Sequence, residues 1–172
     1  MRAADEEATF TREMFLDTTI HDFDMARFVM ASEIVSVSVL PAPPEAAGET
    51  PLTAVTVVRF ASGAAGTIDN SWLSTYGYDQ RLEVFGTDRM LSVGNESPAA
   101  AGTVDGAADS TPFFVQRYFD SYVKEMMAFI ECIVQGREPP VTGAAGRAAL
   151  ALALSAQRSC REGRPVAVSE AG

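Results

Sequence analysis

The sequence predicts an α+β fold, an open and mostly antiparallel sheet with helices packed on one face. Three observations lead to this prediction: a helical apolar pattern near the start, several alternating segments after it, and two long helical patterns at the end. Short turns join the alternating segments, as in an antiparallel meander, whereas parallel strands need long crossover connections. With 172 residues the chain can bury one core. We expect an irregular segment over residues 1–14 and a single domain over residues 15–172.

The first helix is predicted from about Asp17 to Ala31. Apolar residues recur in it at intervals of three or four, which places them on one face: Ile20, Phe23, Ala26 and Met30. The period then changes from helical to two. Residues 34–40 (IVSVSVL) alternate between apolar and polar side chains and are the clearest strand in the sequence.

Further strands are predicted after a loop that is rich in proline and glycine. Residues 53–60 are β-branched and alternate, and a turn at Ser62 and Gly63 follows them. Residues 65–73, 80–85 and 90–93 continue the pattern. These segments predict the remaining strands of the sheet.

Two helices are predicted at the end of the chain. The first follows Pro112, carries a stripe of aromatic and aliphatic residues, and ends at Gly136, where a left-handed residue belongs. The second runs from about Ala144 to Arg161 and ends at Gly163. Both apolar stripes are predicted to be core.

Composition and charge exclude several classes of protein. The net charge of −10 argues against a nucleic-acid partner, which needs a clustered basic surface. No apolar run approaches the ~20 residues of a membrane span, and the acidic start does not resemble a secretory signal. Cys132 and Cys160 have no Cys- or His-rich surroundings, so we expect reduced structural thiols, no metal site and a cytoplasmic location.

The chain's only histidine, His21, lies four residues after Asp17 and three before Asp24. Residues three and four apart are neighbours on a helix, so these side chains are predicted to form one stripe. A carboxylate beside an imidazole orients the ring and suits it to acid–base catalysis. The alternative is a surface or helix-capping cluster with a structural role.

Several segments together resemble the C-terminal domain of the Gfo/Idh/MocA oxidoreductases, and of inositol 2-dehydrogenases in particular. They occur in the family's order and are residues 15–28 (FLDTTIHDFDMARF), 66–71 (GTIDNS), 76–86 (YGYDQRLEVFG), 113–118 (FFVQRY) and 163–166 (GRPV). The resemblance extends from about residue 14 to residue 168. It implies a domain that binds substrate and mediates dimerisation.

The resemblance also implies roles for individual residues. His21 corresponds to the catalytic base, which takes the proton of the reacting hydroxyl, and Asp17 to the carboxylate paired with it. The segment that lines a polyol or sugar pocket includes Tyr76, Tyr78 and Gln80, and Tyr118 is a further substrate contact. A homodimer through the open sheet is implied as well.

The resemblance covers only half of such an enzyme. The sequence contains no G-x-G-x-x-G turn and no Glu-Lys-Pro segment, which supplies the family's catalytic lysine. We therefore expect no cofactor site in this chain. NAD(P) is implied only with a complementary Rossmann domain that lies on another chain or has been removed.

Two local departures concern the substrate. Leu52 stands where the family has a carboxylate, and Trp72 where it has a basic residue, which weakens the assignment of myo-inositol. Trp72 is expected to belong either to the core or to a dimer interface.

Three functions are compatible with this sequence. The first is the C-terminal domain of an NAD(P)-dependent polyol or sugar dehydrogenase, which is incomplete without a Rossmann domain. The second is a stand-alone enzyme that uses Asp17 and His21 for cofactor-independent acid–base chemistry on a polyhydroxylated substrate. The third is a non-catalytic module for dimerisation or binding.

Overall fold

A computed structural model of the chain describes residues 14–42, 52–73, 79–94 and 118–170. Their contacts define two compact units, Met1–Leu73 with Pro140–Gly172 and Ser74–Pro139. The elements in chain order are a π-helical turn (Met14–Thr19, the π-turn), α1 (Ile20–Met30), β1 (Ile34–Pro41), β2 (Thr53–Phe60), β3 (Ala65–Ser71), β4 (Leu82–Phe85), β5 (Met90–Val93), α2 (Phe119–Gln135), α3 (Gly143–Glu162), β6 (Val166–Ala167) and a 3-10 turn (Val168–Glu170).

The first unit contains a four-stranded sheet with the order β3-β2-β1-β6, in which every pairing is antiparallel. The register separates two faces, because side chains alternate along each strand. Val58 pairs with Val37 and Gly66 in a row on the inner face. Its neighbour Val57 pairs with Ser38 and Thr67 on the outer face.

The core of this unit lies between the inner face of the sheet and the helical elements. The strands contribute Val37, Val39, Ala54, Val58 and Phe60, and the helical elements contribute Met14, Phe15, Phe23, Leu152, Ala153 and Ala156. The outer face carries exposed apolar side chains, among them Leu40 and Val57. The predicted α+β fold with helices on one face of an antiparallel sheet is therefore confirmed.

The second unit contains the β4–β5 hairpin and α2. The hairpin pairs Leu82 with Val93 and Phe85 with Met90. Helix α2 ends at Gly136, which has φ 62°, as predicted. The predicted start of this helix, after Pro112, lies outside the described residues. Most of its apolar stripe is exposed and not core, although Cys132 is buried, since one helix and a hairpin cover little apolar surface.

The bounds of most elements agree with the sequence prediction, whereas the opening helix begins earlier than predicted. It begins at Met14 and not at Asp17, because the large side chains of Met14 and Phe15 are buried in the core. Its first six residues form the π-turn, which a search for the α-helical period does not detect. The single domain predicted for residues 15–172 stays a prediction. Within the described ranges, no helix combines the length and apolarity that a membrane span requires.

Candidate active site

The candidate site lies where the π-turn passes into α1. Met14, Phe15 and Thr19 are buried and anchor this junction, whereas Asp17 and His21 are exposed. Thr19 has right-handed helical backbone angles and its side chain does not cap α1. The junction therefore presents one carboxylate and one imidazole on a segment whose other face is fixed in the core.

The predicted stripe of three polar side chains is divided in the structure. Asp24 forms an ion pair with Arg27 at 3.3 Å. Asp17 lies in the π-turn and His21 in the first turn of α1, so the boundary between the π-turn and α1 separates them. Across the part of the chain that the structure describes, no hydrogen bond or ion pair joins their side chains. The catalytic roles of Asp17 and His21 stay predictions.

A polar network from β3 holds this junction. The hydroxyl of Thr19 donates a hydrogen bond to Oδ1 of Asn70 at 2.8 Å, and it also lies 3.4 Å from the carbonyl oxygen of Met14. The Nδ2 group of Asn70 donates to Oδ2 of Asp22 at 2.8 Å. One amide thus contacts residues on both sides of the boundary between the π-turn and α1.

Trp72, which directly follows β3, makes a second connection to the π-turn. Its Nε1–H group donates a hydrogen bond to the Thr18 hydroxyl at 2.7 Å, and its ring packs against the core. Trp72 is half-buried against the core, as one of its two predicted positions requires, and a place in a dimer interface stays a prediction. The contact fixes the residue that directly follows Asp17.

Two of the four predicted substrate contacts are among the described residues. Gln80 and Tyr118 both belong to the second unit, and the hydroxyl of Tyr118 donates a hydrogen bond to Oε1 of Gln80. Tyr76 and Tyr78 lie outside the described residues. The structure therefore brings Gln80 and Tyr118 together, and the role of all four residues in binding substrate stays a prediction.

Arg27, further along α1, has a structural role. Arg27 forms two hydrogen bonds with the carboxylate of Glu33, at 2.7 and 2.8 Å, and this pairing lowers the pKa of Glu33 and raises that of Arg27. Arg27 also donates to the carbonyl oxygen of Ala145 in α3 at 3.4 Å. Among the described residues no cluster of His, Cys, Asp or Glu side chains is arranged to hold a metal ion.

Asn70 and Asp22 are not among the site residues predicted from the sequence. Asn70 follows Ile68 at a spacing of two on the inner face of β3, where apolar residues predominate. A polar side chain at an inward position needs a hydrogen-bond partner. The alternation therefore contained a signal for Asn70, but it did not indicate which residue the partner would be.

Comparison with known families supports the resemblance. The model of the GFO/IDH/MocA C-terminal domain matches residues 3–92. This range includes the π-turn, α1, β1 to β4 and all but the last residue of β5.

Two curated relatives extend the similarity over nearly the whole chain. The myo-inositol 2-dehydrogenase of Thermotoga maritima is 42% identical over 165 residues, which cover 91% of this chain and 49% of the relative. The inositol 2-dehydrogenase of Rhizobium meliloti is 40% identical over 164 residues, covering 91% and 50%. The chain thus spans about half the length of the curated relatives it matches.

A solved structure agrees with these matches. The crystal structure of a probable dehydrogenase from Thermotoga maritima has a TM-score of 0.83 and 38% sequence identity, and the match covers 97% of this chain and 53% of that one. By its sequence and its fold, the chain belongs to the Gfo/Idh/MocA family, as a C-terminal domain of the type found in inositol 2-dehydrogenases.

Proposed function

We propose that this chain is the substrate-binding and oligomerisation domain of an NAD(P)-dependent dehydrogenase for a polyol or sugar. It acts together with a dinucleotide-binding domain. The observation that carries the proposal is the exposed pair Asp17 and His21 on a junction anchored in the core, in a chain similar to half of several inositol 2-dehydrogenases.

His21 acts as the general base in this proposal. Oxidation of a secondary alcohol removes a proton from the hydroxyl and a hydride from carbon, and an exposed imidazole can accept the proton. Asp17 orients the imidazole and stabilises its protonated form. Since Asp17 and His21 share no hydrogen bond in the described structure, we expect the pair to close when substrate binds.

The residues that the structure describes do not fit a dinucleotide. A pyrophosphate site needs a strand, a glycine-rich turn and a helix N-terminus in a parallel arrangement. All strand pairings in the described residues are antiparallel, and the sequence has no G-x-G-x-x-G. We therefore assign the acceptor of the hydride to a separate domain.

We assign substrate selection to the four predicted substrate contacts. Tyr118 and Gln80 form a hydrogen-bonded pair of the kind that recognises hydroxyl groups, and Tyr76 and Tyr78 precede Gln80 in sequence. Their hydroxyl and amide groups can both donate and accept. This chemistry suits a polyhydroxylated substrate.

Oligomerisation is assigned to the outer face of the four-stranded sheet. Its central row is Ser38, Val57 and Thr67, and Leu40 lies beside this row at 61% exposure. Small polar and β-branched side chains make a flat surface that two sheets can share. We propose that two copies pack through this face.

To test this proposal, the chain is fused to the remaining half of the Thermotoga maritima relative. The fusion protein is then assayed for the formation of NADH with a panel of inositols. His21→Ala is expected to lower turnover by about 10² to 10⁴-fold, because the proton acceptor is lost. Asp17→Asn keeps the shape but removes the charge, and we expect a smaller loss. Asp24→Asn is the matched control, since Asp24 is paired with Arg27.

Other outcomes would favour the other two functions. Turnover of a polyol by the isolated chain without nicotinamide, abolished by His21→Ala, would favour cofactor-independent acid–base catalysis. If the fusion with His21→Ala kept its full turnover, His21 would not be catalytic, and the third function, a non-catalytic module for dimerisation or binding, would be favoured. Measurable binding of NAD to the isolated chain would contradict the assignment of the cofactor site to another domain.

A further inference from the structure

The relative orientation of Asp17 and His21 depends on the π-turn, which contains Asp17 and ends two residues before His21. A π-helical turn holds more residues than an α-helical turn and is rare without support from the surrounding structure. If the π-turn changed to α-helical hydrogen bonding, the turn would contain one residue fewer. The segments before and after it would then rotate by about 100° relative to each other, since an α-helix has 3.6 residues per turn. Such a rotation would move Asp17 away from its present direction.

The supports of the π-turn come from β3. Asn70 accepts a hydrogen bond from Thr19, the last residue of the π-turn, and donates one to Asp22 in the first turn of α1, both at 2.8 Å. Thr19 is fully buried and Asn70 is half-buried, so water competes weakly for these bonds. Asn70 is separated from these residues by 51 and 48 positions in sequence.

We propose that Asn70 is a positioning residue that holds the boundary between the π-turn and α1 and so sets the orientation of His21 relative to Asp17. This role rests on the proposed function, in which Asp17 and His21 perform the proton transfer. Asn70 itself is on the inner face of the sheet and acts only through Thr19 and Asp22.

The chemistry of the two bonds explains why asparagine is needed here. The carboxylate of Asp22 accepts hydrogen bonds, so its partner must donate, and the hydroxyl of Thr19 donates to an oxygen. Only an amide offers one donor and one acceptor in this shape. Asn70→Asp has the same size but places two carboxylates side by side, which repel each other.

The test uses NMR of the full chain, in which His21 is the only histidine and supplies a single set of imidazole signals. Asn70→Asp is expected to shift these signals, although residue 70 is 49 positions away. The matched control is Asp69→Asn, the adjacent residue on the exposed outer face of β3, which should leave them in place. Imidazole signals in Asn70→Asp that coincide with those of the unaltered chain would overturn the proposal.

A double substitution separates positioning from general damage. Asp22→Asn supplies a donor at residue 22, which can bond an aspartate at residue 70, and that aspartate still accepts from Thr19. The double variant, with Asp22→Asn and Asn70→Asp, should therefore give the same imidazole signals as the single variant Asp22→Asn. If Asn70→Asp does not fold, Asn70→Ser is measured instead, since serine is too short to reach both partners. Coincident signals in Asn70→Ser would equally overturn the proposal.

Activity of the fusion protein gives the second readout. Asn70→Asp is expected to lower kcat by roughly 10²-fold, with KM within about twofold, because a misplaced base slows the chemical step more than binding. A change confined to KM would overturn the role. Full turnover with His21→Ala would instead contradict the proposed function, while the NMR result would still decide whether Asn70 orients His21.

Discussion

Two buried serines on α3, Ser155 and Ser159, use their hydroxyl groups in different ways. Ser155 donates to the carbonyl oxygen of Ala151 within the same helix at 2.8 Å. Ser159 accepts a hydrogen bond from the backbone N–H of Val39 at 3.0 Å and donates to the carbonyl oxygen of Arg164 at 2.7 Å. Ser159 therefore joins α3 to β1 next to the point where β1 pairs with the short strand β6.

Ser159→Ala is expected to lower the free energy of unfolding by about 1 to 3 kcal/mol, because it leaves a buried backbone N–H and a carbonyl without this partner. Ser155→Ala is the matched control. It should change the free energy by less than about 0.5 kcal/mol, since the helix carbonyl keeps its backbone bond. Urea denaturation of both variants measures the difference, and equal costs would contradict this account.

At the scale of single elements, the end of α1 is strained. Ala31 has φ 45° and ψ 37°, the left-handed conformation that usually requires glycine. Its backbone N–H donates to the carbonyl oxygen of Phe28 and closes the helix. The ends of α2 and α3 have the same conformation with Gly136 and Gly163.

Ala31→Gly is expected to raise the free energy of unfolding by about 0.5 to 1 kcal/mol. Relief of the left-handed strain, about 1 to 2 kcal/mol, exceeds the added entropy of the unfolded chain, about 0.5 to 1 kcal/mol. Gly163→Ala reverses the change at the end of α3 and should destabilise by a similar amount. Thermal unfolding of the two variants measures both effects, and a loss of stability in Ala31→Gly would contradict the argument.

At the scale of the whole molecule, Arg27 connects three elements of the first unit. It joins α1 to Glu33 before β1 and to the backbone of α3 at Ala145. The hydrogen bond from Arg27 lowers the pKa of Glu33 below its ordinary value of 4.5. The contribution of this pair to stability is therefore present above pH 4.5 and is lost as the pH falls through the lowered pKa of Glu33.

Glu33→Gln should reduce the free energy of unfolding at neutral pH by less than about 1 kcal/mol, because the carboxylate is mostly exposed and solvent screens the pair. The difference from the unaltered chain should disappear in acid, where Glu33 is protonated. Urea unfolding as a function of pH measures it. A difference that persists at low pH would show that packing, and not charge, causes the effect.

If two copies of the chain pack through the outer face of the sheet, a charge on that face should weaken the dimer. Val57→Lys places a charge at the centre of β2 on this face, and in a dimer that buries the face the charge would lose its water. The variant is expected to shift a dimer towards monomer in sedimentation experiments. Phe28→Lys is the control, since Phe28 is exposed by 80% on α1 and away from the sheet. An unchanged dimer with Val57→Lys would place the interface elsewhere.

Local patterns were sufficient for much of the fold. The alternation of residues 53–60 predicted the bounds of β2 and the two faces of the strand, because the side-chain period of a strand is two. Gly136 and Gly163 marked the ends of α2 and α3, since glycine accepts the left-handed conformation. The apolar stripe of α2 is mostly exposed, so the prediction that it belongs to the core was wrong. A helical period shows which side chains share a face, but it does not reveal what covers that face.

For the candidate site, the sequence by itself determined which residues are predicted to carry the chemistry: a single histidine four positions from an aspartate, in a segment similar to inositol 2-dehydrogenases. Only the tertiary structure decided how they are presented. The π-turn at residues 14–19 is not a local preference of those residues, and its supports come from Asn70 and Trp72, about 50 positions away. Hydrogen bonds over that distance form only when the sheet has brought β3 against the helix, and no local pattern encodes them.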